Sequence, residues 1–182
     1  MSRQVSRKRE VTAESLLDAA GAELRESGYD DLTVRLVAAR AGVAPATAYT
    51  YFKSKQHLVA EAYLRLLGEL PDSPGEGAPL ERLRMLFDDI AKLLDAHPDL
   101  ASAATVAMLA DQDEVRRVRD RIGRATHRRI ADALGDAPDD VLAALDLAWA
   151  GALMQAGLGH TSYADLGPQL TSVAALLLKG SR

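Results

Sequence analysis

Apolar residues recur three and four positions apart along almost the whole chain, and no stretch alternates convincingly at period two. A chain patterned this way buries its apolar surface by packing helix on helix. Alanine reinforces the reading, with 33 among 182 residues against two Phe and one Trp, because it is the best helix former. Prolines, glycines and capping residues divide the periodic stretches into about nine segments. The first is expected to start with Thr12 as N-cap and to stop at Gly28. The next run from Thr33 to Arg40, Ala44 to Phe52, and Ser54 to Leu70. Beyond the Pro- and Gly-rich stretch from Pro71 to Pro79, helices are expected over 79–96, 99–110, 112–134, 138–158 and 163–179. The expected fold class is all-α.

Several chemistries are excluded by what is missing. Zero Cys rules out a disulfide framework, a thiolate zinc site and a cysteine nucleophile. His57, His97, His127 and His160 lie far apart and none follows a Glu at three-residue spacing, so the Glu-x-x-His metal clusters of helical bundles are absent. No nucleophile–base pair and no G-x-x-x-x-G-K-S/T phosphate loop is visible, so neither an enzyme nor a cofactor is expected. The opening MSRQVSRKRE is basic but leads into no apolar run of the kind a secretion signal needs. The most apolar stretch, Ala143 to Gly159, is broken by Asp146 and Gln155 and is short for a bilayer. A cytoplasmic chain with no membrane partner is expected.

The net charge of −4 conceals an asymmetry, with ten Lys/Arg and eight Asp/Glu in residues 1–67 but twelve and eighteen in residues 68–182. Thr33 to Gln56 holds Arg35, Arg40, Lys53 and Lys55 and no acid, and the arm before Glu10 adds Arg3, Arg7, Lys8 and Arg9. A cationic surface on an acidic chain points to a polyanion bound at one end. The same stretch reads as two short helices joined by a Gly-containing turn, the helix-turn-helix pattern. Ala38 is small where the helices cross, Gly42 allows a positive φ in the turn, and Val34, Val37 and Val43 fill the corner. The second helix then presents Pro45, Ala46, Thr47, Tyr49, Thr50 and Tyr51 to a major groove, with Phe52 packed inward. The Arg3–Arg9 arm is either a solvated tail or a segment that enters a flanking minor groove.

The run TVRLVAARAGVAPATAYTYFKSKQHLVAEAY resembles the DNA-binding region of the tetracycline-repressor (TetR) family of bacterial regulators. Its landmarks are Thr33, Ala38, Ala41-Gly42-Val43, Thr47, Tyr49, Tyr51-Phe52, Ser54-Lys55 and Leu58. The likeness covers residues 12–65, and its tail, Tyr-x-Tyr-Phe-x-Ser-Lys-x-x-Leu, is far more specific than a helix-turn-helix alone. The resemblance implies that Thr33 and Thr47 place hydroxyls on phosphates and that Tyr49 and Tyr51 pack against the sugar-phosphate backbone. It also implies that Lys55, at a helix N-terminus, binds a phosphate. Pro45, Ala46 and Thr50 fall where members touch base edges, with Arg35 a further groove or phosphate contact. The sequence departs at Ala44, Ala46 and Ala48, where Ser, Gly and Leu are common, and the missing cap costs about 1 kcal/mol. The resemblance divides the chain into an arm and DNA-binding domain, residues 1–55, and a ligand-binding and dimerisation domain, residues 56–182.

The remaining two thirds resemble the family only in length and helical character. Phe87, Thr105, Met108, Trp149, Met154 and Gln155 are candidates to line a cavity between helices. Ala148, Gly151 and Ala152, with Leu170, Val173, Ala174 and Leu177 of the last helix, suit a two-fold four-helix interface, where the family usually dimerises. Arg117, Arg121, Arg124 and Arg128 share one helix face. That face is either a surface balanced by nearby acids or a seat for an anionic effector, such as the acyl-coenzyme A thioesters some members sense. The expected function is that of a homodimeric repressor on a palindromic operator in double-stranded DNA, released by a small apolar or amphipathic effector. The alternatives are a DNA-binding adaptor whose C-terminal part binds a protein, and an all-helical carrier or enzyme. An enclosed cavity favours the first, an exposed apolar patch over a filled core the adaptor.

Overall fold

The computed structural model describes residues 2–72 and 75–180, with side chains from Arg7 onward. Among them are nine helices and no strand: α1 (Ser2–Asp31), α2 (Val34–Arg40), α3 (Pro45–Tyr51), α4 (Lys55–Leu67), α5 (Pro79–Ala96), α6 (Pro98–Ala107), α7 (Asp113–Leu134), α8 (Asp139–Gly157) and α9 (Leu166–Gly180). Two compact units emerge, Met1–Arg65 with Asp99–Arg119, and Leu66–Pro98 with Asp120–Arg182.

In the first unit the local signals of the sequence set the helix boundaries. Thr33 has extended backbone angles and its Oγ1 accepts the Leu36 N–H at 3.2 Å, which caps α2. Gly42 sits at φ 65°, and the turn closes with the Val43 N–H donating to the Ala38 carbonyl at 2.9 Å. Pro45 opens α3, where its missing N–H leaves nothing unsatisfied. Ser54 caps α4 by accepting the His57 N–H at 3.1 Å. Leu16, Ala20 and Leu24 of α1 are buried, as are Val34, Val37, Ala38, Ala48, Phe52 and Leu58.

The start of α1 departs from expectation. Thr12 is no N-cap: the helix begins ten residues earlier, and the Thr12 hydroxyl donates back to the Lys8 carbonyl at 2.9 Å. Capping requires a residue outside helical angles, and the Lys/Arg-rich arm, free of Gly and Pro, extends the helix instead. The main chain of the basic arm, from Ser2 onward, is therefore continuous with α1. The Arg3 side chain lies outside the described residues. Gly28, at φ 74° and ψ 178°, does interrupt the helix, and Tyr29–Asp31 add a final turn beyond it.

In the second unit α9 packs on both α5 and α8. The close approach of α5 and α9 needs Gly167, where a Cβ would stand 2.6 Å from Asp88 Oδ1 and 3.2 Å from its Cα. Leu83, Phe87, Ile90 and Leu94 repeat along the buried face of α5, and Leu145, Leu166 and Leu170 join them in the interior. The last helix starts at Leu166 and not at Tyr163, because Ser162 and Asp165 close a turn through the Asp165 N–H and the Ser162 hydroxyl at 3.2 Å. No helix among the described residues is long and apolar enough to cross a membrane.

Candidate nucleic-acid interface

The helix α3 is rooted on one side and open on the other. Ala48 is fully buried and Phe52, which ends the helix, nearly so. Pro45, Ala46, Thr47, Tyr49 and Thr50 are all exposed, Tyr49 to 40%, while Tyr51 is half-buried with its ring tilted against Phe52 at 6.4 Å. The side-chain alternation expected of a recognition helix is therefore present. Thr47 and Thr50 differ in what they offer. The Thr50 hydroxyl donates to the Thr47 carbonyl at 2.7 Å, leaving it an acceptor and a methyl. Thr33, exposed, caps α2 through its oxygen lone pair and keeps its O–H to donate outward. Arg35 is exposed and makes no ion pair among the described residues.

The other cations of this acid-free stretch have partners that sequence did not reveal. Arg40 donates from Nε to Glu23 Oε1 at 2.6 Å and from Nη2 to the Glu26 carboxylate. Those hydrogen bonds, Glu23 first, raise the pKa of an already permanent cation. Glu23 and Glu26 are three apart on α1, a spacing that hints at such a clamp. Lys53 donates its ammonium to the Tyr49 carbonyl at 3.2 Å and its backbone N–H to His57 Nδ1 at 3.2 Å, so both groups finish the C-terminal end of α3. Lys55 is half-buried. Its ammonium donates to the carbonyls of Tyr29 at 2.9 Å and Asp30 at 3.0 Å, and lies 4.5 Å from the centre of the Tyr29 ring. Burial, then the Asp30 charge, push the Tyr29 phenol above its ordinary pKa. Ser54 completes the junction by donating to Gln112 Oε1 at 2.6 Å, a residue 58 positions away.

The candidate effector residues are not gathered into either of the two clefts described. One of about 280 Å³, in the first unit, is lined by Leu24, Gly28, Tyr29, Asp30, Asp99, Ser102, Ala103 and Val106. The other, about 260 Å³, in the second unit, is lined by Asp140, Val141, Leu176, Leu177 and Gly180. Thr105 and Met108 belong to the first unit, where the Thr105 hydroxyl bonds the Ala101 carbonyl. Phe87, Trp149, Met154 and Gln155 belong to the second, with Phe87 and Trp149 buried. Met154 and Gln155 face solvent.

The expected dimer residues divide similarly. Gly151 is exposed, and Ala148, Ala152, Val173 and Leu177 are half-buried. Leu170 and Ala174 are 1% and 0% exposed, so neither has surface to give a partner. Sequence missed Leu147 at 76%, Leu158 at 59% and Leu176 at 70% exposure. Leu147, Gly151 and Met154 of α8, with Leu158 at its C-cap, recur on one exposed strip. Along α7, Arg116 pairs with Asp111 at 3.3 Å and with Asp113, whose carboxyl it holds below the ordinary range. Arg117, Arg124 and Arg128 are exposed, and Arg124 and Arg128 make no ion pair among the described residues.

A rooted helix with an open polar and aromatic face, following a short capped helix and a Gly turn, defines a helix-turn-helix DNA-binding head. The sequence model of the family described as bacterial regulatory proteins, tetR family, matches residues 16–62. An uncharacterized HTH-type transcriptional regulator of Mycobacterium tuberculosis is 44% identical over 180 residues, 97% of this chain and 84% of that protein. The HTH-type transcriptional repressor KstR of Rhodococcus jostii is 34% identical over 178 residues, 92% of this chain and 83% of its own length. Among solved structures, a TetR transcriptional regulator from Rhodococcus sp. RHA1 matches with a TM-score of 0.77 at 24% identity, over 95% of this chain and 98% of that one. FadR from Bacillus subtilis, in complex with stearoyl-CoA, matches with a TM-score of 0.68 at 20% identity, over 93% and 99%. The chain belongs to the tetR family of bacterial regulatory proteins and is a DNA-binding transcriptional regulator of helix-turn-helix type.

Proposed function

We propose that the chain acts as a homodimeric repressor that binds a palindromic operator in double-stranded DNA and leaves it when a small apolar or amphipathic effector binds. The observation that carries the reading is α3, whose Pro45, Ala46, Thr47, Tyr49 and Thr50 face outward while Ala48 and Phe52 hold it from behind. Residues 1–55 form the DNA-binding part and residues 56–182 the effector and dimer part. Thr33 and Thr47 donate to phosphates, Tyr49 and Tyr51 lie along the sugar-phosphate backbone, and Arg35 adds a groove or phosphate contact. Pro45 and Ala46 read thymine methyls, and Thr50 reads through its methyl and its remaining acceptor capacity. Two copies place their heads about 34–36 Å apart along the duplex.

The second copy is met through Ala148, Gly151, Ala152, Val173 and Leu177 together with Leu147, Met154, Leu158 and Leu176, a reading supported by the exposure of the last four. The exposed strip also favours a second reading, an adaptor that docks another protein. Self-association of the purified chain decides between them. A long-chain acyl-CoA thioester is the first effector to test, supported by FadR solved with stearoyl-CoA and by the exposed Arg124 and Arg128. Effector and operator then compete through their differing preference for two conformations. The protein works in the cytoplasm and by binding, without catalysis, as the regulator names of its relatives suggest.

The test is selection of duplexes from a random library, followed by mobility shift. A palindrome with half-sites about one helical turn apart is expected, and Tyr49→Ala abolishes its shift in a folded protein. Addition of stearoyl-CoA weakens the complex and changes the emission of Trp149, the single tryptophan. Failure of the wild-type protein to enrich any duplex at low salt would overturn the DNA reading. Silence across acyl chain lengths would remove the thioester alone.

A further inference from the structure

We propose that Lys55 is a positioning residue: its ammonium fixes the end of α1 against the start of α4, and so sets the angle at which α3 meets the duplex, instead of gripping a phosphate. The inference rests on the DNA-binding reading and reassigns a single cation within it.

The geometry of the α1 end gives such a residue something to hold. Gly28 breaks the helix at φ 74°, and Tyr29–Asp31 form one more turn before Thr33 opens α2. Carbonyls in a last helical turn lack the donor that a continuing helix supplies, and they carry the negative end of its dipole. Lys55 reaches two of them, Tyr29 at 2.9 Å and Asp30 at 3.0 Å, from the first residue of α4. Its charge also lies 4.5 Å from the Tyr29 ring centre, within the range of a cation–π contact. An ammonium has three N–H donors, and two are directed at protein oxygens. Leaving for a phosphate would strip both carbonyls and uncover the ring.

The position of the contact converts it into an effect on DNA. Two residues separate Tyr51, the end of α3, from Ser54, which caps α4. Lys53 is tied to Tyr49 and to His57. The segment from α3 to α4 is therefore short and bonded at each step, so the tilt of α4 relative to α1 passes to α3. At the other end of this pairing Arg65 holds Glu14 and Asp18 of α1 at 2.8 and 2.7 Å. Lys55 and Arg65 clamp α4 along α1 at both ends.

Lys55→Met, which keeps most of the apolar stem and removes the donors, separates the possibilities, with Lys55→Gln as a milder variant should the first fold poorly. Dissociation constants are measured over a salt series on the selected palindrome and on unrelated duplex, with Thr47→Ala for comparison. A phosphate contact weakens binding equally on both duplexes and lowers the log–log salt slope by about 0.9. A positioning residue gives a different result: affinity for the palindrome falls about tenfold, affinity for unrelated duplex holds, and the salt slope is unchanged. Thr47→Ala should weaken both duplexes alike. Hydrogen exchange of residues 26–34, measured without DNA, should accelerate in Lys55→Met as the last turn of α1 loosens. Uniform loss with a reduced slope, or unaltered exchange, overturns the proposal. If the wild-type chain enriches no duplex, the DNA-binding reading falls by itself, and the exchange measurement still decides whether Lys55 holds the α1 end.

Discussion

Ser54 makes two hydrogen bonds with one hydroxyl, and replacing it by Ala removes both. Its oxygen accepts the His57 N–H at 3.1 Å and its proton goes to Gln112 Oε1 at 2.6 Å, at a site that is partly buried. Losing an N-cap serine costs about 1 kcal/mol. Losing the bond to Gln112 adds about 1 kcal/mol, since net hydrogen-bond contributions cluster near that value. A total of about 2 kcal/mol in a chain of this length lowers the melting temperature by about 4–8 °C. The assay is thermal unfolding by circular dichroism of wild type, Ser54→Ala, Gln112→Ala and the double variant. Gln112→Ala alone should cost about half as much, because the α4 cap survives. Once Ser54 is gone, removing Gln112 should cost little more, giving a coupling near 1 kcal/mol in the cycle. A Ser54→Ala effect within the ~0.5 kcal/mol scatter of ordinary surface changes, or strictly additive single effects, would refute the reasoning.

Tyr29 should titrate above the ordinary phenol value of 10.0, so the phenolate absorbance step lost in Tyr29→Phe lies at higher pH than that of a free tyrosine. Because burial favours the neutral phenol, its contribution to stability is complete below the unfolded pKa and is lost as pH rises through the folded one; a step at or below 10.0 contradicts the placement. Gly42→Ala meets no atom within 4 Å, but its φ of 65° costs an L-residue about 1 kcal/mol, read as a lower denaturation midpoint. An unchanged midpoint would show that the turn does not hold this angle. Leu147→Glu, at 76% exposure on the apolar strip of α8, should leave the fold intact and convert a two-chain species to one chain in sedimentation. Persistence of the dimer would place the interface elsewhere.

The features legible in the sequence are those whose causes lie within a few residues. The Thr33 cap, the Gly42 turn, Pro45 at the head of α3 and the Ser54 cap each follow from the conformations and hydrogen bonds open to one side chain beside its own backbone. Helical periodicity likewise separated Phe52 from the outward Thr47 and Tyr49. Partners distant along the chain were not legible: charge counting left Arg40 and Lys55 as free cations. Only the packing of α1 against the helices after it brings Glu23, Glu26 and the Tyr29 and Asp30 carbonyls to them. Thr12 failed because a capping side chain marks a boundary only where the backbone leaves the helix, and nothing before it forces that. On α8 and α9 apolar residues occupy more than one face, so periodicity alone cannot choose the inward one. The packing of α9 on α5 and of α8 on α9 decides it, burying Leu170 and Ala174 and leaving Leu147 and Leu176 outside.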